Sequence, residues 1–144
     1  MGCGHGALTL ESLLPAVLPQ GSIIGLDSSS SLLSTAKNSS SQLPSDQQSQ
    51  VQWIELDAHD LRDAKDEIKD ASVDAVFSSA SLHWMKADPK KVLEGTYRVL
   101  KSGGRFAGEV NSFALLSLRP SLLAEGLDTP STFAARCASL YKRD

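Results

Sequence analysis

The stretch Gly2-Cys3-Gly4-His5-Gly6-Ala7, together with Ser22-Ile23-Ile24-Gly25-Leu26-Asp27 further along the chain, decides the fold. The first is a glycine loop that opens a helix at Ala7, and the second is a short buried strand that ends in an acid. Glycines allow a close backbone approach to a bulky ligand. A carboxylate about 20 residues after such a loop can accept hydrogen bonds from a ribose diol. The pair predicts a site for a dinucleotide or for a nucleoside-type cofactor.

Strands and helices alternate beyond this point. Residues 51–56 alternate in polarity and precede Asp57, residues 73–77 precede Ser78-Ser79, and residues 105–110 form a fourth strand. Strands separated by helices imply a parallel sheet with helices on both faces. We therefore predict an α/β fold.

The helices carry their own signals. Residues 61–69 predict a charged surface helix, and residues 115–125 and 132–142 predict two later ones. Asp88-Pro89 is a typical helix start, with Asp as N-cap and Pro in the first position. We expect that helix to stop at residues 101–104, where a lysine and glycines resemble a C-terminal cap. Its buried residues should be Val92, Leu93, Tyr97 and Leu100.

Ligands of open parallel sheets bind at the carboxyl ends of the strands. Asp27, Asp57, Ser79 and Glu109 should therefore lie along one edge. Asp27 suits a ribose, although it could instead cap the next helix. Asp57 could accept from the exocyclic amine of adenine, or form an Asx-turn that leaves the strand.

Composition excludes several classes of protein. The net charge of -3 offers no basic stripe for nucleic acid, so we expect no such partner. No apolar run approaches the roughly 20 residues of a membrane span, so we expect no membrane partner either. Cys3 and Cys137 form no CxxC, which favours free thiols in a reducing, cytoplasmic compartment. The three histidines are scattered, and no spacing indicates a metal site.

Five stretches in order resemble the motifs of class I S-adenosylmethionine-dependent methyltransferases, particularly the trans-aconitate methyltransferase-like, or type 11, group. They are residues 2–9, 25–37, 56–58, 74–84 and 93–106. The resemblance implies a Rossmann-like, mostly parallel sheet. It also implies S-adenosylmethionine as cofactor and a small-molecule substrate such as an organic acid.

Site residues follow from the same resemblance. The expected cofactor contacts are Gly2, Cys3, Gly4, His5, Gly6, Asp27, Ser28, Leu32, Asp57, Ala58, Ser79 and Ala80. His83 and Trp84 are expected to line the acceptor pocket, unless Trp84 packs against the helix that opens at Asp88. No catalytic residue is expected, because a carboxylate acceptor is already ionised near neutral pH.

The family's first strand would precede Gly2, and no sixth or seventh strand follows in the sequence. We therefore expect one partial methyltransferase domain over residues 1–144, a fragment in which cofactor affinity is weak. Two alternative functions remain open. One is a non-catalytic binding module with the same fold. The other is a nicotinamide-dependent oxidoreductase, for which no Tyr-Lys pair is recognisable.

Overall fold

The computed structural model describes residues 1–109. The chain divides into two compact units, residues 1–57 and a second unit that begins at Ala58. The helices predicted over residues 115–125 and 132–142, and Cys137, lie outside the described residues. Within the described part, no helix has the length and apolar content needed to cross a membrane.

The first unit has one parallel strand pair with helical segments before and between the strands. Ala7 and Leu8 begin a helix that continues as a π-helical turn. In order, the elements are the π turn Thr9–Leu13, α1 Leu14–Val17, β1 Ile23–Asp27, α2 Ser30–Ser40, α3 Ser45–Gln48 and β2 Val51–Glu55. β1 and β2 pair in parallel, from Ile23 opposite Val51 to Asp27 opposite Glu55. Both predicted strands are confirmed.

Trp53 on β2 packs against glycines of the first unit. A Cβ atom built on Gly25 would lie 2.5 Å from two carbons of the Trp53 ring, and one built on Gly6 would lie 2.7 Å from a third. The indole N–H donates to the Ser40 hydroxyl at 3.0 Å. Only glycine at these two positions lets the ring approach the glycine loop and β1 this closely. The ring therefore links the loop to the strand pair.

The second unit also contains one parallel strand pair. Its elements are β3 Val73–Ser79, a 3₁₀ turn Leu82–Trp84, α4 Pro89–Val99 and β4 Leu100–Glu109. Val73 lies opposite Leu100, but Ala75 lies opposite Arg105. Residues 101–104 therefore bulge out of the ladder, and Gly103 adopts a φ of +76° in the bulge. Two further predicted strands are confirmed, and β4 begins earlier than predicted.

The start of α4 follows the prediction, but its end does not. The Asp88 carboxylate accepts from the Lys91 N–H at 3.0 Å, as an N-cap should. The helix stops at Val99, because Leu100 already has an extended backbone and pairs with Val73. The predicted glycine cap at residues 101–104 is wrong, since Gly103 serves the bulge. Tyr97, predicted to be buried, is 40% exposed.

The predicted helix over residues 61–69 is wrong. Those residues form a series of turns. The reason is long-range, since the Leu61 and Ile68 carbonyls accept hydrogen bonds from the Arg98 guanidinium on α4. A helix propensity of a few tenths of a kcal/mol per residue is easily outweighed by such tertiary contacts.

We predict that Gly25→Ala destabilises the fold by about 2 kcal/mol, because the new methyl group would overlap the Trp53 ring. Urea denaturation followed by Trp53 fluorescence measures this. A Trp84→Phe background makes Trp53 the sole reporter of the two tryptophans.

Gly103→Ala is the control, since a Cβ there would meet nothing within 4 Å. It carries only the strain of a positive φ, roughly 1 kcal/mol. Equal losses in the two variants would show that Trp53 does not press on Gly25.

Candidate cofactor site

The Asp27 carboxylate joins the glycine loop to the start of α2. One oxygen accepts from the Gly4 N–H at 2.8 Å, and the other accepts from the Ser29 N–H at 3.0 Å. A carboxylate has about four acceptor positions, so one position on each oxygen remains for a ligand hydroxyl. We call this arrangement the Asp27 bridge.

The alternative in which Asp27 caps the next helix is wrong. The N-cap is Ser29, whose hydroxyl accepts from the Leu32 N–H at 3.4 Å. Ser28 is exposed and Leu32 is 41% exposed, so both side chains are accessible within this unit. The ribose role of Asp27 stays a prediction, now with the acceptor geometry that it needs.

The glycine loop is held against the free edge of β1. The Cys3 N–H donates to the Leu26 carbonyl at 3.0 Å, and the Gly6 N–H donates to the Cys3 carbonyl at 3.0 Å. Gly2, Gly4 and Gly6 all have positive φ, between 55° and 81°. A Cβ on Gly4 would meet nothing within 4 Å, so the loop backbone is open to a ligand there. His5 is exposed.

The end of β2 adjoins the Asp27 bridge. The Leu56 N–H donates to the Asp27 carbonyl at 3.0 Å, which places Asp57 directly after a residue bonded to Asp27. Asp57 is exposed. The first unit therefore brings together the glycine loop, Asp27 and the chain that leads into Asp57. Its adenine role stays a prediction.

The remaining predicted cofactor residues belong to the second unit. Ala58 is buried, at 4% exposure. Ser79 ends β3, and Ala80 follows it with a φ of +50°. A left-handed alanine is strained, and such strain concentrates at functional sites. The Ser78 and Ser81 hydroxyls, 2.6 Å apart and both buried, close this turn.

His83 and Trp84 lie in the 3₁₀ turn after β3. Their rings are 4.9 Å apart and tilted by 45°. Nδ1 of His83 is buried without a hydrogen-bond partner among the described residues. Trp84 is 77% exposed, which disfavours the alternative in which it packs against α4. A buried ring nitrogen beside an exposed indole suits a small polar ligand.

The side chain of Glu109, the remaining strand-end candidate, lies outside what the structure describes. Sequence reasoning missed three residues. Ser29 is one of four consecutive serines that the sequence does not distinguish, and Trp53 carries no pattern beyond that of its strand. The contact of Ser81 with Ser78 forms across a turn that the sequence does not fix. The one sequence feature that indicates the Ser78–Ser81 contact is the spacing of three residues between two hydroxyls, which suits a turn.

Parallel strand pairs, a positive-φ glycine loop and an acid that ends β1 are typical of α/β proteins that bind a nucleoside-type cofactor. Comparison with known families makes this specific. Residues 1–106 match the model of a methyltransferase domain, and the chain therefore belongs to that family, with its Rossmann-like α/β fold. It is a class I methyltransferase.

Similar proteins agree with this assignment. The chain is 32% identical over 120 residues to an uncharacterized methyltransferase of Schizosaccharomyces pombe, covering 81% of this chain and 40% of that protein. It is 33% identical over 107 residues to a trans-aconitate 2-methyltransferase of Azoarcus sp. strain BH72, covering 74% of this chain and 36% of the relative. A trans-aconitate 2-methyltransferase of Deinococcus radiodurans is 30% identical over 110 residues, covering 76% and 36%. The chain thus spans about two fifths or less of these relatives' lengths.

Burial raises the pKa of the Cys3 thiol to about 11. Against the ordinary value of 9.0 this leaves about a hundredfold less thiolate at pH 8. We predict that iodoacetamide modifies Cys3 in a Cys137→Ser background about a hundredfold more slowly in the folded chain than in urea.

The rate in the folded chain should rise about tenfold per pH unit up to pH 10, whereas the rate in urea levels off near pH 9. If steric blocking alone slowed the reaction, the rates in the folded chain and in urea would level off at the same pH. That outcome would contradict the raised pKa.

Proposed function

We propose that this protein uses S-adenosylmethionine as methyl donor and methylates a small-molecule acceptor, an organic acid carboxylate. The Asp27 bridge is the observation that carries the proposal. It joins a positive-φ glycine loop to a carboxylate with acceptor positions left for a ribose diol. Nucleic acid and membranes are not part of the proposal.

Each part of the site has a role in binding the donor. Asp27 would accept from the ribose hydroxyls, while the backbone of residues 2–6 would contact the methionine part. Asp57 would accept from the adenine amine, beside the buried Ala58. The turn at Ser79 and Ala80 would complete the cofactor contacts. These residues fit the donor because they combine open backbone with carboxylate acceptors.

When bound, S-adenosylmethionine supplies an electrophilic methyl group on a sulfonium. An acceptor carboxylate oxygen forms the new C–O bond with its lone pair as the S–C bond breaks, and the sulfur keeps the bonding electrons. No proton moves, since the acid is already ionised near neutral pH. The protein's contribution is to orient the two reactants and to exclude water.

The acceptor class rests on the turn after β3. Nδ1 of His83 is buried and has no partner among the described residues, so a polar methyl acceptor that reached it would satisfy its hydrogen-bonding capacity. The exposed Trp84 indole offers apolar area beside it. Two relatives are named for methylation of trans-aconitate, a tricarboxylate, which makes an organic acid the first acceptor to test.

We predict that the chain binds S-adenosylhomocysteine, the donor's product, with a dissociation constant on the order of 0.1 mM. NMR titration should shift the Gly4 and Gly6 amide signals. Asp27→Asn should weaken binding at least tenfold, because an amide loses charge-assisted hydrogen bonds of roughly 1.5 kcal/mol or more.

Glu55→Gln is the matched control, since Glu55 lies opposite Asp27 in the same ladder. It should leave binding unchanged. The donor proposal fails if the native chain does not bind or if Asp27→Asn binds as the native chain does. NADH should not displace the ligand.

We further predict that Trp84→Ala raises KM for trans-aconitate about fivefold or more, because the loss of buried apolar area costs roughly 1 kcal/mol of binding free energy. The effect on kcat should be smaller. Transfer of a tritiated methyl group measures both. Tyr97→Ala, which removes another exposed aromatic ring of the second unit, should leave KM unchanged. An unaltered KM in Trp84→Ala would rule out Trp84 as an acceptor contact.

A further inference from the structure

Four residues of α4 and its N-cap face the turns that replace the predicted helix. We call residues 58–70 the turn segment. The four residues are Asp88, Lys91, Gly95 and Arg98, whose spacing of three or four places them on one side of a helix. Each of them contacts the turn segment, as the following distances show.

Arg98 makes the most extensive contacts. Its guanidinium donates to the Leu61 carbonyl at 2.7 and 3.2 Å, to the Ala64 carbonyl at 3.2 Å and to the Ile68 carbonyl at 2.7 Å. It also donates to the Asp70 carboxylate at 2.6 Å. The Arg98 side chain is only 10% exposed. This planar, five-donor group thus satisfies the Leu61 and Ile68 carbonyls and shares the Ala64 carbonyl with the Ile68 N–H.

Gly95 permits the close contact in the middle of the row. A Cβ at this position would lie 2.7 Å from the Arg62 backbone nitrogen and 3.0 Å from the Leu61 carbonyl carbon. Backbone atoms cannot move aside as a flexible side chain can. Glycine is the poorest helix former after proline, so its presence inside α4 is explained by this approach.

The N-terminal end of α4 holds the start of the turn segment. The Lys91 ammonium lies 3.1 Å from an Asp60 carboxylate oxygen, and the Asp88 N–H donates to Nε2 of His59 at 3.4 Å. The Leu61 N–H in turn donates to the Ala58 carbonyl at 3.3 Å. A chain of contacts therefore runs from α4 to Ala58, the residue that follows Asp57.

We propose that α4 determines how well the protein recognises the adenine ring, because it fixes the turn segment that begins at Ala58. Arg98, Gly95 and Lys91 are positioning residues that act without touching the cofactor. The proposal rests on the proposed function, in which Asp57 and Ala58 contact adenine. It adds that adenine selectivity depends on α4, which contacts the turn segment.

The test compares two ligands that differ only at the pyrimidine edge of the purine. S-adenosylhomocysteine carries the 6-amino group, and S-inosylhomocysteine carries a 6-carbonyl oxygen in its place and a proton on N1. The native chain should bind S-adenosylhomocysteine about tenfold more tightly, because the amine adds one good hydrogen bond. Arg98→Lys keeps the charge but replaces the planar, five-donor guanidinium with one ammonium nitrogen that has three donors. We expect it to reduce the preference to threefold or less.

A loss of preference distinguishes positioning from general damage. Asp27→Asn, placed at the ribose, should weaken both ligands equally and leave the tenfold preference intact. If Arg98→Lys does not fold, Lys91→Met is the second variant, because the Lys91 ammonium meets the turn segment through the Asp60 and Asp63 carboxylates. It should lower the preference about twofold. Hydrogen exchange should quicken over residues 58–70 in both variants while the Gly4 and Gly6 amides stay protected.

The outcomes separate the two proposals. A native chain that binds neither ligand overturns the donor proposal and this inference together. A native chain that prefers S-adenosylhomocysteine, with an unchanged ratio in both Arg98→Lys and Lys91→Met, overturns only the role of α4. A reduced ratio with faster exchange in residues 58–70 supports it.

Discussion

The first unit depends on one carboxylate that serves two backbone donors. Asp27 is fixed by its place at the end of β1, and its oxygens bond Gly4 and Ser29 on either side. Charged acceptors make stronger hydrogen bonds than neutral ones. The glycine loop, which has little conformational preference of its own, is thereby ordered by an acid before any ligand binds. Such preorganisation lowers the entropy lost on binding.

In the second unit, an irregular segment is likewise ordered by hydrogen bonds, but these come from a side chain that is distant in sequence. The segment after Ala58 lacks regular structure, and buried carbonyls there require donors from elsewhere. Arg98 supplies them from α4. The pKa of the Asp70 carboxyl is held below its usual range by hydrogen bonding to Arg98. Its contribution to stability is therefore present above its ordinary pKa and is lost as pH falls through the lowered value.

The contrast explains which parts could be predicted from sequence. Strand β1 is a short apolar run and the Asp88 cap bonds a residue three positions on, so local patterns were enough to predict both. The prediction of a helix over residues 61–69 failed because Arg98 donates hydrogen bonds to the Ile68 and Leu61 carbonyls, which are 30 and 37 residues away in sequence. Gly103 was misread for a related reason. Glycine ends helices and forms bulges equally well, and only the pairing of Val73 with Leu100 decides between them.

The same contrast bears on how selectivity is divided along the chain. In the proposed function, contacts to the ribose and the methionine part come from a loop that Asp27 orders within the first unit, so substitutions in the second unit should leave them intact. The proposed adenine contacts, Asp57 and Ala58, lie where the chain enters the turn segment, which α4 contacts through Arg98 and Lys91. Binding of the ribose should then respond to substitutions at Asp27 itself, whereas recognition of adenine should also respond to substitutions on α4. Because Asp27 acts on the ribose and Arg98 on the adenine in this proposal, and independent effects add, a double variant should combine the weaker binding of the first with the reduced preference of the second.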